Sequence, residues 1–384
     1  MHRNIKLLAV FNFFTDFRLY SAVLVIYFAR VTGSYTLAMS LFSVTMICAA
    51  LFDVPTGIFS DKIGRKKTVV AGALAAVLYS LLYATGKSFW ILGIGAMFEG
   101  LSRAFYSGNN DALLHNSLAD TGHADFYAHY LGKVSAMFQA ALVLGAVLGS
   151  IVANWSFTWV MWLSVIPQVA CLIVSLFITE PKKREASQNA LFSHVASSLS
   201  VIWRNEKLRL LTAAQILGFG VGESAFEFRS AFVATLWPTW AIGFSQMLSF
   251  VGGGISFWFS STLIKKYKEM KLLLFEAIYN RIIDLIALIF PTVISPALMS
   301  TTSFLYGATE VSSNTLMQKE FTERERATLG SMVSFGGSLF FGMFSVIIGA
   351  VADRFSPLGA LLFAEVCSMP RIWVLWRLSK KTNV

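Results

Sequence analysis

The chain is organised around one basic segment between two long apolar runs, Asp53-Val54-Pro55-Thr56-Gly57-Ile58-Phe59-Ser60-Asp61-Lys62-Ile63-Gly64-Arg65-Lys66-Lys67. Gly57 and Gly64 allow close backbone approach and a reversal of the chain. Asp61 is expected at a helix end, and basic residues crowd the short turn that follows. Such a concentration of Lys and Arg beside membrane-length runs is typical of the cytoplasmic side of a membrane protein.

The composition is that of a membrane protein. Hydrophobic residues make up 56% of the 384 residues and charged residues only 14%, and the mean hydropathy is +0.64. A soluble domain would carry about a quarter charged residues. The net charge of +10 does not indicate a nucleic-acid partner, because the basic residues are spread over short turns and form no basic domain.

The apolar runs predict twelve transmembrane helices. Each run is long enough to cross a hydrocarbon core of about 30 Å at a rise of about 1.5 Å per residue. The predicted spans are residues 6–29, 37–60, 68–86, 89–113, 133–153, 157–178, 210–233, 243–264, 272–290, 297–317, 329–351 and 357–377. Lys and Arg lie mostly in turns on one side, with Arg30, Lys87 and Arg354 on the other, so both termini are predicted to be cytoplasmic.

The longest loop divides the predicted spans six from six. We predict an N-terminal six-helix bundle over residues 1–180, a cytoplasmic linker over 181–208 and a C-terminal six-helix bundle over 209–384. Apolar linker residues recur at helical spacing, which predicts an amphipathic helix on the membrane surface. These residues are Leu191, Phe192, Val195, Leu199, Ile202 and Trp203. The halves also repeat weakly: Asp16-Phe17-Arg18 in span 1 has a counterpart in Glu227-Phe228-Arg229 of span 7.

The segment from Gly57 to Lys66 reads Gly-x-x-x-Asp-Lys-x-Gly-Arg-Lys. This pattern resembles the signature loop between helices 2 and 3 of the major facilitator superfamily of secondary transporters. The resemblance implies an all-α integral membrane fold of two parallel six-helix bundles, with a central cavity lined by spans 1, 4, 7 and 10. It also implies a conformational latch formed by Gly57, Asp61, Gly64 and Arg65.

Charged residues lie where lipid should exclude them. An ionised side chain at mid-bilayer costs about 3 kcal/mol on insertion scales, so it normally faces a cavity or a partner. Asp16, Glu99, Glu223 and Glu310 lie near the middle of predicted spans 1, 4, 7 and 10. As a set they are interpreted as a substrate or proton site. For each one, a structural contact between helices is the alternative.

Polar stripes at helical spacing extend from these carboxylates. They are Asn12, Asp16 and Tyr20 in span 1; Glu99, Arg103, Tyr106 and Asn110 in span 4; Gln215, Phe219, Glu223 and Glu227 in span 7; and Tyr306, Glu310 and Asn314 in span 10. Glu99 and Arg103 are one turn apart and are expected to form a salt bridge. Arg18 and Arg229 lie off the stripes. We expect them either to neutralise carboxylates on neighbouring helices or to hold the repeat together.

Other features are interpreted as structural. Arg281 and Asp284 in span 9 are expected to pair with each other at i and i+3, and Glu365 and Arg371 in span 12 are expected to make helix contacts. In span 5, small residues give the helix a smooth face for close packing. This face contains Ala140, Ala141, Gly145, Ala146, Gly149 and Ser150.

The carboxylates suggest proton coupling. Asp16 and Glu223 are the predicted carriers, with Glu99, Glu227 and Glu310 in reserve, because Arg103 beside Glu99 favours the charged form of Glu99. The substrate is expected to contact Asn12, Asp16, Tyr20, Arg103, Phe219, Glu223 and Glu310. Carboxylates outnumber arginines at these positions, which suits protons and cationic molecules.

The predicted function is secondary active transport by alternating access, with proton-coupled efflux of a small amphipathic or cationic molecule as the first choice. Alternatives are proton-coupled uptake of a nutrient, export of a metabolite or siderophore, and a transport-inactive membrane sensor or scaffold. An enzyme is not expected, because no nucleophile–base pair, phosphate loop or His-Glu-x-x-His motif is present. The His residues are interpreted as solvated loop residues, so no metal or cofactor is expected. The expected setting is a multi-pass monomer in a bacterial inner membrane, with lipid, protons and a small-molecule substrate as partners.

Overall fold

A computed structural model describes residues 3–120, 126–181, 202–321 and 326–381. Across these ranges the regular structure is helical and contains no strand. The predicted all-α fold is therefore confirmed. Most of the predicted linker helix, including Leu191, Phe192, Val195 and Leu199, lies outside the described residues, whereas Ile202 and Trp203 are helical.

The chain forms two compact units. The first consists of Met1–Ser187 with Pro238–Met247, and the second of Gln188–Trp237 with Leu248–Val384. The helices up to residue 181 are α1 (Arg3–Asp16), α2 (Leu24–Thr32), α3 (Tyr35–Ile63), α4 (Arg65–Thr85), α5 (Phe89–Tyr106), α6 (Asn109–Ala119), α7 (Tyr127–Ala153) and α8 (Phe157–Phe177).

The helices from residue 206 onward continue this numbering. They are α9 (Glu206–Leu236), α10 (Ile242–Tyr267), α11 (Glu269–Ile289), α12 (Ser295–Ser300), α13 (Tyr306–Glu320), α14 (Arg326–Phe355) and α15 (Pro357–Lys381), with 3-10 turns at Thr239–Ala241 and Thr301–Leu305. Helix α9 begins at Glu206, where the Asn205 side chain accepts a hydrogen bond from the Leu208 N–H. The last residues of the predicted linker therefore belong to this helix.

Each predicted span coincides with one described helix or with two consecutive ones. Spans 1, 4 and 10 are the interrupted ones, formed by α1 with α2, α5 with α6, and α12 with α13. Within the described ranges, seven helices are long and apolar enough to cross a membrane by length and composition. The total of twelve crossings stays a prediction.

Span 1 is interrupted directly after its carboxylate. Helix α1 ends at Asp16 and α2 begins at Leu24. The Arg18 Nε donates at 3.1 Å to the Thr15 carbonyl, which the end of the helix leaves without its usual partner. The predicted helical stripe from Asn12 through Tyr20 is therefore wrong beyond Asp16, because the helix has already ended there.

The basic turn reverses the chain at Gly64, as predicted. Gly64 has φ +100°, a conformation that strains residues with a Cβ. The Glu180 carboxylate accepts hydrogen bonds from the first main-chain N–H groups of α4, at 2.9 Å from Arg65 and 2.8 Å from Lys66. These groups have no partner within the helix, and the helix dipole favours an anion there. The close approach expected at Gly57 is wrong, because a Cβ there would meet nothing within 4 Å.

Helix α7 packs directly on the interruption of span 1. A Cβ at Gly145 would lie 2.9 Å from the Arg18 carbonyl oxygen, and one at Gly149 would overlap the Leu19 carbonyl. The predicted smooth face of span 5 is thus in close contact with another segment, the main chain of Arg18 and Leu19. The same unit has an apolar core that includes Phe11, which is fully buried.

We predict that Gly149→Ala destabilises the protein by about 1–3 kcal/mol, the usual cost of overpacking, because main chain cannot move aside as a side chain can. Thermal unfolding in detergent measures the effect. Gly132→Ala is the matched control, since Gly132 lies on the same helix with open space around it. Equal unfolding midpoints for the two variants would contradict the packing argument.

Candidate functional site

Glu99 is the centre of a charged cluster in the first unit. Only 3% of the residue is exposed. Its Oε1 lies 2.9 Å from the Arg18 Nη1 and 2.8 Å from the Arg103 Nη2, and its Oε2 accepts a 2.9 Å hydrogen bond from the Tyr83 hydroxyl. The predicted pair with Arg103 is confirmed. Arg18 neutralises a carboxylate on a neighbouring helix, which is one of the two alternatives expected for it.

Three segments place these groups around Glu99. Helix α5 carries Glu99 and Arg103 one turn apart, α4 carries Tyr83, and the turn after α1 carries Arg18. Close packing of α4 on α5 depends on Gly95, where a Cβ would come within 2.7 Å of the Tyr83 ring. The absence of a side chain at that position lets the phenol reach the carboxylate.

Asp16 is held more loosely than Glu99. Its Oδ1 lies 3.9 Å from the Arg18 Nη2, and its side chain is 20% exposed, against 4% for Glu99. One turn earlier, the Asn12 amide oxygen accepts from Asn110 at 3.5 Å, so the stripes of spans 1 and 4 meet there. Tyr20 follows the end of α1 and does not continue this stripe; it is 2% exposed, and its ring packs edge-on against Tyr83 beside the Glu99 cluster.

The second unit brings together a group of acidic residues. Glu223 lies near the middle of α9 with Glu227 one turn later, and Glu310 on α13 is near enough to interact electrostatically with Glu223. Tyr306 lies on α13 one turn before Glu310 and is also close to Glu223. The predicted stripes of spans 7 and 10 each lie on a single helix, α9 and α13, which confirms their spacing.

One hydrogen bond joins the two acidic helices, and a second lies within α13; neither brings a positive charge to the carboxylates. The Ser313 hydroxyl donates at 2.5 Å to the Gln215 side chain on α9, and the Asn314 amide donates at 3.1 Å to the Glu310 Oε1. Within the described part of the second unit, neither Glu223 nor Glu310 has a basic side chain within 4.0 Å. The described partner of Glu310 is therefore an amide and not a basic side chain.

A second set of charges in this unit is fully paired. Arg229 lies 3.5 Å from Asp284 and donates at 3.1 Å to a main-chain carbonyl. Arg281 lies 3.9 Å from Asp284, as predicted, but its closer partner is Glu365 on α15. These contacts join α9, α11 and α15, which agrees with the structural interpretation of spans 9 and 12.

Sequence reasoning missed two members of these networks. Glu276 on α11 pairs with Arg371 on α15 at 3.2 Å, and its place in an apolar run gave the same signal as the carboxylates that were noticed. Tyr83 gave no such signal, because a tyrosine in an apolar run is unremarkable and its role depends on which helix faces it. The first omission was avoidable and the second was not.

Ion pairs at helix ends lie apart from these clusters. Lys319 donates at 2.7 Å to the Glu269 Oε1, and this hydrogen bond lowers the pKa of Glu269. A carboxyl with a lowered pKa stabilises the folded state above its unfolded pKa and loses that contribution as the pH falls through the folded value. The pair is therefore formed at neutral pH.

The residues of the expected latch lie at or near the α3–α4 turn, with Gly57 inside the last two turns of α3. Asp61 is exposed in the last turn of α3, and the Arg65 N–H donates to the Glu180 carboxylate directly after Gly64. A role for Gly57, Asp61, Gly64 and Arg65 in conformational change stays a prediction.

The helices and their buried charges define a multi-pass membrane protein with ionisable sites inside the membrane. The family model described as Major Facilitator Superfamily matches residues 7–345, so the chain belongs to this family. The expected cell-membrane location is confirmed by this match. The family consists of transporters and not of enzymes, as predicted.

Individual relatives are more distant. The chain is 31% identical to a tetracycline resistance protein, class H, from Pasteurella multocida over 35% of this chain and 33% of that one. It is 23% identical to a Na(+), Li(+), K(+)/H(+) antiporter from Planococcus maritimus over 56% of this chain and 54% of that one. These matches span only about a third to a half of the relatives' lengths. The crystal structure of the nucleoside transporter NupG shares the fold, with a TM-score of 0.79 at 12% identity over 99% of this chain and 100% of that one.

We predict that Glu99→Gln destabilises the protein by about 3 kcal/mol, because it leaves the largely buried Arg18 guanidinium, and the more exposed one of Arg103, beside a neutral amide. The matched control is Glu310→Gln, which makes the same chemical change at a carboxylate without a basic partner in the described part of its unit. Thermal unfolding in detergent should separate the two variants clearly. Glu99→Gln protein that unfolds at the wild-type temperature would show that the cluster does not stabilise the fold.

Proposed function

We propose that the protein is a secondary transporter that works by alternating access and exports a small amphipathic or cationic molecule in exchange for protons. Family membership supports transport. The names of two relatives, a tetracycline resistance protein and a cation/proton antiporter, support efflux and proton exchange. Both matches cover only part of each chain, so the assignment depends on the arrangement of charges.

The observation that carries the proposal is a difference in pairing among the carboxylates in the helices. Glu99, Glu276, Asp284 and Glu365 each lie within 4.0 Å of an arginine. A carboxylate held in this way joins helices, and its protonation would leave the arginine without its counter-charge. Glu223 has no such partner in its described unit, so it can gain and lose a proton without leaving a buried arginine unpaired.

The proposed proton carriers are Asp16 and Glu223. The Asp16 carboxylate lies 3.9 Å from Arg18 and is partly exposed. Protonation of Asp16 therefore breaks no close ion pair in the first unit. Glu227 and Glu310 remain in reserve, since each lies close to Glu223. Glu99 fits the carrier role poorly, because its protonation would leave two guanidinium groups unneutralised.

The proposed substrate is a cation with an aromatic or apolar part. In the second unit, Glu223 and Glu310 offer negative charge, and Phe219 and the exposed ring of Tyr306 offer aromatic faces. Cations are attracted to such rings as well as to carboxylates. In the first unit we propose contacts from Asn12, Asp16 and Arg103. A small neutral sugar would call for many more amides and hydroxyls than these faces provide.

We predict that Glu223→Gln abolishes accumulation driven by a pH gradient while retaining exchange of substrate down its own gradient, because a permanently neutral side chain cannot carry the proton. The assay uses proteoliposomes with an imposed pH gradient and a fluorescent organic cation. Asp16→Asn is tested in parallel. Glu269→Gln is the matched control, because it removes a carboxylate at a helix end and should leave coupling unchanged.

Three results would argue against the proposal in different ways. Proton-driven accumulation by both Asp16→Asn and Glu223→Gln protein would place the carriers elsewhere. Movement of the substrate in the same direction as protons would indicate proton symport, and thus uptake of a nutrient and not export. Binding of sugars with no response to organic cations would overturn the substrate class.

A further inference from the structure

An open groove runs along the surface of the second unit between α11 and α15. Its volume is about 410 Å³, and it is lined by Leu274 and Ile278 from α11 and by Met369, Trp373 and Trp376 from α15, with Arg281 also in its wall. Apart from this arginine, these lining side chains are apolar. Both tryptophans are about half exposed, at 54% and 46%.

The lining residues form one stripe on each helix. Lys271, Leu274, Ile278 and Arg281 follow one another at i, i+3, i+7 and i+10, and Trp373, Trp376 and Lys380 at i, i+3 and i+7. Residues at these spacings share a helix face. Each stripe therefore continues from the apolar groove to a lysine.

The end of the groove at Arg281 is already neutralised. Arg281 pairs with Glu365 and Asp284 and donates to Ser368 on α15. Because Arg281 contacts this part of α15, the two helices run in opposite directions along the groove, and Lys271 and Lys380 lie at its other end. The positive charge of Arg281 is therefore not available to bind an anion at this end.

The lysine end of the groove is electropositive. Lys271 and Lys380 are both at the surface, and the Lys380 Nζ lies 3.7 Å from the centre of the Trp376 ring. In the described part of the chain neither lysine has an acidic partner within 4.0 Å. Nearby, Arg377 and Lys381 share the single carboxylate of Glu206, so this end carries excess positive charge.

We propose that this groove binds an anionic phospholipid, with the phosphate at Lys271 and Lys380 and an acyl chain along the apolar floor toward Arg281. The ten residues from Lys271 to Arg281 rise about 15 Å, which is about half of a hydrocarbon core of about 30 Å. The groove thus extends from headgroup depth to the middle of the bilayer, as one acyl chain does. Tryptophan beside lysine is typical of the membrane interface, and basic pockets between helices favour anionic headgroups.

The charges favour this occupant over a second copy of the chain. Two copies paired through the same groove by a two-fold axis would bring their own basic ends into the contact. Like charges would then face each other without a carboxylate to separate them. An anionic lipid meets both the positive charge and the apolar floor.

The experiment is a lipid titration of delipidated full-length protein, followed by native mass spectrometry. The probes are dioleoylphosphatidylglycerol and dioleoylphosphatidylcholine. The double variant Lys271→Gln, Lys380→Gln should bind phosphatidylglycerol about tenfold to thirtyfold more weakly, since each basic residue near a membrane surface contributes about 1 kcal/mol. Its matched control is Lys265→Gln, Lys266→Gln, which removes two lysines at the end of α10.

A second pair of variants tests the apolar part of the groove. Ile278→Trp fills the groove and should reduce phosphatidylglycerol binding, whereas Ile166→Trp changes an exposed isoleucine on α8 and should not. Equal unfolding temperatures confirm that all variants are folded, as expected for surface positions. The proposal is overturned if the double lysine variant binds phosphatidylglycerol like wild type. It is equally overturned if both lipids bind alike, or if Ile278→Trp instead abolishes a dimer.

Discussion

A charge between membrane helices needs either a partner or a polar cavity, and paired charges join the helices of both units. In the first unit, one carboxylate at Glu99 binds Arg18, Arg103 and Tyr83, so α4, α5 and the turn after α1 are joined at one point. In the second, Arg281 joins α11 to α15 through Glu365. Lipid offers no competing water, so each of these contacts holds helices together more firmly than it would on a soluble surface.

The interruption of span 1 is a consequence of the same requirement. Arg18 reaches Glu99 from a turn, and that turn lets its Nε satisfy the Thr15 carbonyl at the end of α1. Main chain outside a helix is tolerated in a membrane only where it is covered by protein. Gly145 and Gly149 provide this cover by bringing α7 against the carbonyls of Arg18 and Leu19.

The spans, the turn at Gly64 and the intramembrane carboxylates could be predicted because each leaves a mark in a short stretch of sequence. An apolar run must be helical in lipid, and a charge within it is conspicuous. Partners one helical turn apart, such as Glu99 and Arg103, could be predicted, but Tyr83 and Glu180 could not, since they acquire their roles from helices distant in sequence. The end of α1 at Asp16 was also missed, because the apolar run continues through it and only the packing of α7 makes the break possible.

The weak sequence repeat clarifies why the acidic group lies in the second unit. Arg18 and Arg229 occupy matching positions in Asp16-Phe17-Arg18 and Glu227-Phe228-Arg229, yet Arg18 neutralises a carboxylate on span 4, whereas Arg229 turns to Asp284 on span 9. The carboxylate of span 10, Glu310, therefore accepts a hydrogen bond from the Asn314 amide and forms no ion pair with Arg229. An arginine directed to the peripheral helix leaves Glu223 and Glu310 without a basic side chain within 4.0 Å in the described part of their unit, which is the condition that the proposed proton site and cationic substrate both need.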